Sequence, residues 1–320
     1  MGYLWEGEWR EDSEFPTDEQ GAFVRPASSL RERVTSDGSS PYAVEAGRYH
    51  LFASYACPWA HRTLIARALM GLEHAISVSF TDPVMGAKGW VLRDGEGAAE
   101  SPLPEAEFLW QVYTATKPTY SGRVTVPVLW DRRERRIVNH ESRDILRMLT
   151  TEFRALARRP EVDLSPPELR AEIDATIDAI YDPINNGVYR AGFAKKQEAY
   201  ETAVHALFEA LDHWEGVLSR QRFLLGSRLT EADICLFTTL FRFDLVYVTH
   251  FKCNVRRLVD YPNLWGFVRD LYAMPGVAAT CRVDHIKTHY FRSHPAINPC
   301  GIVPVGPQID FSLPHGRAER

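Results

Sequence analysis

The sequence predicts an α/β domain over residues 46–150 followed by an all-helical domain over residues 167–291. Three observations carry this. Short alternating apolar runs at residues 49–53, 76–80 and 124–130 occur in the first half, and a two-residue period is that of a half-buried strand. Stretches of helical spacing lie between them, the alternation expected of sheet and helix layers. Beyond residue 167 the spacing is helical almost throughout. An N-terminal arm (1–45), a linker (151–166) and a tail (292–320) complete the division.

Composition excludes several classes. The 320 residues are 45% hydrophobic and 25% charged, values of a globular protein with room for two cores. A formal net charge of −5 argues against nucleic-acid binding, which calls for a basic face. No apolar run approaches the ~18–20 residues of a membrane span. Met1-Gly2-Tyr3-Leu4-Trp5-Glu6 lacks a basic segment followed by an apolar one, which speaks against a signal peptide. Gly2 suggests myristoylation, but Glu6 stands where Ser or Thr is wanted. The cysteines, Cys57, Cys235, Cys253, Cys281 and Cys300, are odd in number without a close pair. That pattern suits neither a disulfide framework nor a zinc cage, so no metal is expected and the compartment is read as a reducing cytoplasm.

In chain order, residues 1–45 are polar and read as an irregular arm. Tyr49, Leu51 and Ala53 alternate with His50, Phe52 and Ser54 as the first strand. Ser54-Tyr55-Ala56 turns the chain, and Cys57-Pro58 opens a helix bearing Leu64, Ile65, Ala68, Leu69 and Leu72. Proline suits a first helical turn because its missing N–H would have no partner there. Cys57 therefore meets unpaired N–H groups and the positive end of the dipole. A partly buried helix terminus contributes up to ~2 kcal/mol, against about 1.4 kcal/mol per pKa unit. That is enough to bring a thiol from about 8.5 toward neutrality, so Cys57 is read as reactive. Position 60 is Ala, so the motif is not Cys-x-x-Cys and no resolving thiol is near.

Ile76, Val78 and Phe80 form a second strand, and residues 82–104 a long loop. A helix is expected over 105–117, a third strand over 124–130, a fourth over 136–138 and a helix over 141–149 with Ile145, Leu146 and Leu149 inward. This β-α-β-α-β-β-α order, with cysteine at the first junction, is thioredoxin-like. Val126-Pro127 enters the third strand, where proline is otherwise out of place. In this fold the peptide is cis, leaving main chain to pair with a peptide-like ligand.

After the charged linker, Ser165-Pro166-Pro167-Glu168 resembles a capping box. Ile173, Ile177 and Ile180 lead to Asn185-Asn186-Gly187, which ends or bends that helix. A second helix spans about 196–218. Thr230 and Asp233 cap another, and Pro262 begins the next, which ends at Pro275-Gly276.

A thioredoxin-like domain followed by an all-helical one resembles the glutathione transferases. The strings Tyr55-Ala56-Cys57-Pro58-Trp59-Ala60-His61-Arg62 and Asn185-Asn186-Gly187-Val188-Tyr189-Arg190-Ala191-Gly192-Phe193 sharpen this to the Xi class, the glutathionyl-hydroquinone reductases. Residues 120–130, Arg242-Phe243-Asp244 with Val246-Tyr247, and residues 250–254 resemble it too. So do His285-Ile286-Lys287 with His289-Tyr290, and Asn298-Pro299 with residues 301–304. The similarity runs from about residue 45 to 307. Arg143, Phe291 and residues 94–106 depart from it and bear on substrate range.

The resemblance implies glutathione as co-substrate along Cys57, Trp90, Arg123, Val126, Glu141 and Ser142. Val126 would pair with the cysteinyl main chain, Glu141 with the γ-glutamyl ammonium, Ser142 and helix N–H groups with its carboxylate, and Arg123 with the glycyl carboxylate. From the residues alone, Glu141 begins a helix and Trp90 packs. Tyr189, Tyr247 and Tyr290 are the implied acceptor-side residues. The implied reaction is thiolate attack by Cys57 on the sulfur of a glutathionyl-hydroquinone, and the implied assembly is a homodimer through the helical domain. An omega-like thiol transferase or dehydroascorbate reductase, or a ligand carrier of the same fold, are the alternatives.

Overall fold

A computed structural model of the chain describes residues 2–11, 16–92 and 100–319. Positions 93–99 of the expected 82–104 loop, and with them part of the unusual 94–106 stretch, lie outside the described residues. The chain divides into two compact units. One comprises Met1–Glu14, Pro26–Val162 and Thr280–Ile302, and the other Phe15–Arg25, Asp163–Ala279 and Val303–Arg320.

In the first unit the arm is not irregular throughout. Strands β1 (Tyr3–Trp5) and β2 (Glu8–Arg10) form an antiparallel hairpin, and β3 (Val34–Thr35) pairs parallel with β4 (Tyr42–Ala43). Next come β5 (Tyr49–Ala53), α1 (Pro58–Met70), β6 (Ile76–Phe80), α2 (Leu109–Thr116), β7 (Val128–Asp131), β8 (Arg136–Asn139) and α3 (Ser142–Thr150). Among the described residues, β6-β5-β7-β8 make a four-stranded sheet, with β5 parallel to β6 and antiparallel to β7.

β5 is buried at all five positions rather than on one face, because it lies inside the sheet with β6 on one side and β7 on the other. His50 Nδ1 lies 2.8 Å from Ser77 Oγ on β6. The ladder of β7 begins at Val128, not 124, since Pro127 has no N–H to donate. α2 starts at Leu109, not 105, where Gln111 Oε1 accepts from the Glu107 and Phe108 N–H groups. α1 ends where Gly71 turns left-handed at φ 68° and its N–H returns to Ala68, a conformation glycine adopts without Cβ strain.

The second unit is helical: α4 (Arg170–Ile180), α5 (Gly187–Gly192), α6 (Gln197–Leu218), α7 (Glu231–Leu240), α8 (Val248–His250) and α9 (Pro262–Tyr272). The expected Ser165 cap is displaced. Pro167–Leu169 is a 3-10 turn ahead of α4, and Glu168 pairs with Arg228 at 2.7 Å instead. The Thr230 cap forms as expected, with the Asp233 carboxylate accepting from the Thr230 N–H and the Leu224 N–H, each at 2.8 Å. The 185–187 bend is a π-helical turn over Tyr181–Asn185, and a second one covers Phe243–Tyr247.

Chain order puts the last helix, α10 (Val283–Ser293), with the helical region, but its contacts place it in the first unit. There His289 Nδ1 donates to the Pro83 carbonyl at 2.9 Å, and Ser293 Oγ accepts from the Met85 N–H at 2.9 Å. No helix among the described residues is long and apolar enough to cross a membrane.

Candidate active site

Cys57 is the N-cap of α1, with φ −79° and ψ 121°, and Pro58 occupies the first turn. Its Sγ lies 3.5 Å from the Val126 carbonyl, to which it donates. The Val126–Pro127 peptide is cis, as the strand proline leads one to expect. The thiol is partly exposed, sits at the positive end of a buried helix and adjoins main chain. Those are the conditions under which a cysteine acts as a nucleophile toward sulfur.

A polar cluster gathers at the N-terminus of α3. Glu141 caps that helix, with Oε1 accepting from the Arg143 N–H at 3.2 Å, and Oε2 accepts from Ser28 Oγ at 2.9 Å. Ser142 Oγ donates to Glu141 Oε1 at 3.4 Å and accepts from Arg62 Nη1 at 3.5 Å. Arg62 is buried with its guanidinium 4.4 Å from the Trp59 ring centroid. A carboxylate beside helix N–H groups can hold an amino-acid head group, ammonium on one side and carboxylate on the other.

Arg123 and Trp90 are set by the N-terminal hairpin. Leu4 and Gly122 exchange two main-chain bonds of 2.9 Å, and Arg123 Nη1 donates to Gly2 O at 3.3 Å. Trp9 Nε1 donates to Ala87 O at 3.0 Å, next to the segment bearing Trp90. The Trp90 ring stacks on His289 of α10, centroids 4.7 Å apart at 18°.

The structure joins Cys57 to Val126 and Glu141 to Ser142 directly. Tyr189 and Tyr247 also meet, with ring centroids 6.1 Å apart. Phe251 stacks on Tyr247 and edges Tyr189; a Cβ at Gly192 would lie 2.2 Å from its ring, so this approach requires glycine. Arg25 stands 5.0 Å from the Tyr189 centroid and donates to Asn186 Oδ1 at 2.9 Å. Tyr290 belongs to the first unit, buried between His289 and His294. Sequence reasoning missed Ser28, Arg25 and the His289 stack. The first two lie in a polar arm without periodicity, while His289 stood in a quoted motif without an assigned part. All five cysteines are thiols, and among the described residues no group of three or more His, Cys, Asp or Glu could hold a metal ion.

The glutathione S-transferase N-terminal domain model matches residues 56–152, and the glutathione S-transferase C-terminal domain model matches residues 197–270. The chain is 51% identical over 327 aligned positions to glutathionyl-hydroquinone reductase YqjG of Escherichia coli, covering 100% of this chain and 99% of that protein. The glutathione-bound structure of YqjG superposes with a TM-score of 0.89 at 49% identity, covering 99% of each chain. The Xi class GST from Natrialba magadii superposes with a TM-score of 0.92 at 50% identity, covering 99% of this chain and 96% of that one. The fold is thus that of a glutathione transferase. Within that superfamily the chain belongs to the Xi class, the glutathionyl-hydroquinone reductases.

Proposed function

We propose that this enzyme reduces glutathionyl-hydroquinones to hydroquinones at the expense of glutathione, by way of a mixed disulfide at Cys57. The observation that carries the reading is Cys57 at the N-terminus of α1 with its sulfur 3.5 Å from the Val126 carbonyl. A conjugating transferase would use a hydroxyl there to hold glutathione as a thiolate; a thiol instead attacks. The name and bound glutathione of the Escherichia coli relative support the same assignment.

In the proposed reaction the Cys57 thiolate attacks the glutathione sulfur of the substrate. The sulfur–aromatic carbon bond breaks, its electron pair passes to the ring, and the ring carbon takes a proton. The sulfur is oxidised to the Cys57–glutathione disulfide as the ring is reduced. A second glutathione thiolate attacks that disulfide, releasing Cys57 and glutathione disulfide. Val126 main chain, Glu141, Ser142, Arg123 and Trp90 are proposed to hold glutathione. Tyr189, Tyr247 and Tyr290 are proposed to donate hydrogen bonds to the ring oxygens as charge develops. We propose a cytoplasmic setting, in keeping with an odd number of cysteines without a close pair, and a homodimer. The exposed Ile302 and Val305 of the tail, 69% and 94% accessible, are surface for such a contact.

Cys57→Ala tests the chemistry. Hydroquinone release from a glutathionyl-hydroquinone should be abolished, with at most a trace in Cys57→Ser. Either variant should retain the fold and gain weak conjugating activity, as glutathione's own thiolate then meets the helix terminus. Near-normal turnover by Cys57→Ala would refute the mechanism. An omega-like thiol transferase is the second reading, because Cys57 alone suffices for it; equal loss on ring and disulfide substrates in the tyrosine variants below would favour it.

A further inference from the structure

A second thiol in the first unit faces a base. Cys281, two residues before α10, is partly exposed, and its Sγ lies 3.7 Å from Nε2 of His61. His61 is fully buried on α1, four residues after Cys57. Its Nε2 is also 2.8 Å from Thr280 Oγ1, which in turn lies 4.0 Å from Cys281 Sγ. Nucleophile and base are therefore within reach of one another, the pairing that activates a cysteine, and the Thr280 hydroxyl shares the same ring nitrogen. The mechanism at Cys57 uses none of the three.

Among the other thiols, Cys235 and Cys253 are buried, and burial pushes the Cys253 thiol up. Cys300 is exposed. Accessibility alone ranks Cys300 as the more reactive, whereas an imidazole beside the sulfur favours thiolate at Cys281.

We propose that Cys281 is a second modifiable thiol, which exchanges with glutathione disulfide independently of turnover at Cys57. His61 Nε2 takes the thiol proton, and the Cys281 thiolate attacks one sulfur of glutathione disulfide. That disulfide bond breaks as the Cys281–glutathione disulfide forms, and the leaving glutathione thiolate takes the proton from the imidazolium. The Cys281 sulfur is oxidised and one glutathione is reduced. The adduct stands at the start of the helix that carries His289 and Tyr290, and so couples that helix to the oxidation state of the glutathione pool.

The test uses the full chain carrying Cys57→Ser, incubated with glutathione disulfide near neutral pH, quenched in acid, digested and mapped by mass. The Cys281 peptide should gain one glutathionyl group at least about tenfold faster than the Cys300 peptide, the ratio that one pKa unit gives in thiolate. Equal or slower modification at Cys281 would overturn the proposal. In His61→Gln the rate at Cys281 should fall about tenfold while that at Cys300 is unchanged; an undiminished rate would remove the base. Should that variant fail to fold, the pH profile of alkylation in the Cys57→Ser chain decides. Half-maximal reaction at Cys281 below that at Cys300 supports the proposal, and coincident profiles reject it.

Discussion

The Tyr247 hydroxyl belongs to a fully buried side chain and the Tyr189 side chain is 9% exposed, so neither ring is held in bulk water. A donor preorganised in such a setting and removed singly costs ~3–4 kcal/mol, or 10²–10³ in turnover. Shared among several donors on one delocalised charge, the loss should be smaller. Tyr189→Phe, Tyr247→Phe and Tyr290→Phe should each lower kcat by roughly tenfold to a hundredfold with KM little changed, since the proposed bonds would strengthen in the transition state. Exchange with a simple disulfide should survive. Unchanged hydroquinone turnover in all three would reduce the tyrosines to packing. Cys57 was legible because its setting is local: strand, turn, proline and helix follow in one short string. The tyrosines were proposed only through motifs, because a buried ring announces no hydroxyl role in a single sequence. Ser28 was not legible at all. Its partner Glu141 is 113 positions away.

Short elements gave the sequence reading most trouble. Three-residue strands such as β1 and β2 are too brief to show a period, and what fixes them is remote: the Glu6 N–H donates to Ser121 Oγ across 115 positions. The segment after the hairpin matters equally. The Ser29 N–H donates to His140 Nε2 at 3.0 Å, which leaves the proton of the neutral ring on Nδ1, 3.0 Å from Tyr113 Oη. Tyr113 Oη donates to the Thr125 carbonyl at 2.8 Å, so one buried relay links the arm to the residue before Val126. Burial pushes the His140 imidazole down to about 4, with Glu141 opposing and Arg31 adding. Burial, with Arg132 and Arg67, lowers His50 to about 3. A histidine depressed in the fold binds its proton first in the unfolded chain, so its contribution is complete above about 6.5 and is lost as pH falls toward 4. Thermal midpoints should therefore drop between about pH 7 and about pH 5. His140→Asn should show a shallower drop; an identical slope would locate the acid sensitivity elsewhere.

Both units are assembled from separated stretches of chain, which sequence patterning, read window by window, has no means of registering. The last residues contribute structurally: Arg317 is 1% exposed and donates to the carbonyls of Leu218, Gln221 and Arg222 at 3.1, 2.8 and 2.8 Å. The first of these is the last carbonyl of α6, one of those a helix cannot pair within itself, and the other two lie in the segment that follows. Charge-assisted bonds contribute about 1.5–3 kcal/mol each. Arg317→Ala should thus cost several kcal/mol and lower the midpoint of the helical unit while leaving the thiol chemistry at Cys57 measurable below it; an unchanged midpoint would make the tail decorative. Sedimentation should give twice the 36.4 kDa chain mass, and a species of that single mass would remove the proposed dimer. The interleaving also bears on how the molecule is born. A ribosome delivers residues in order, so the first unit waits for its 280–302 segment and the second for Arg317. Neither unit can finish on the residues made first, and a product terminated ahead of Arg317 emerges with the Leu218 carbonyl uncapped, ready for surveillance by proteases.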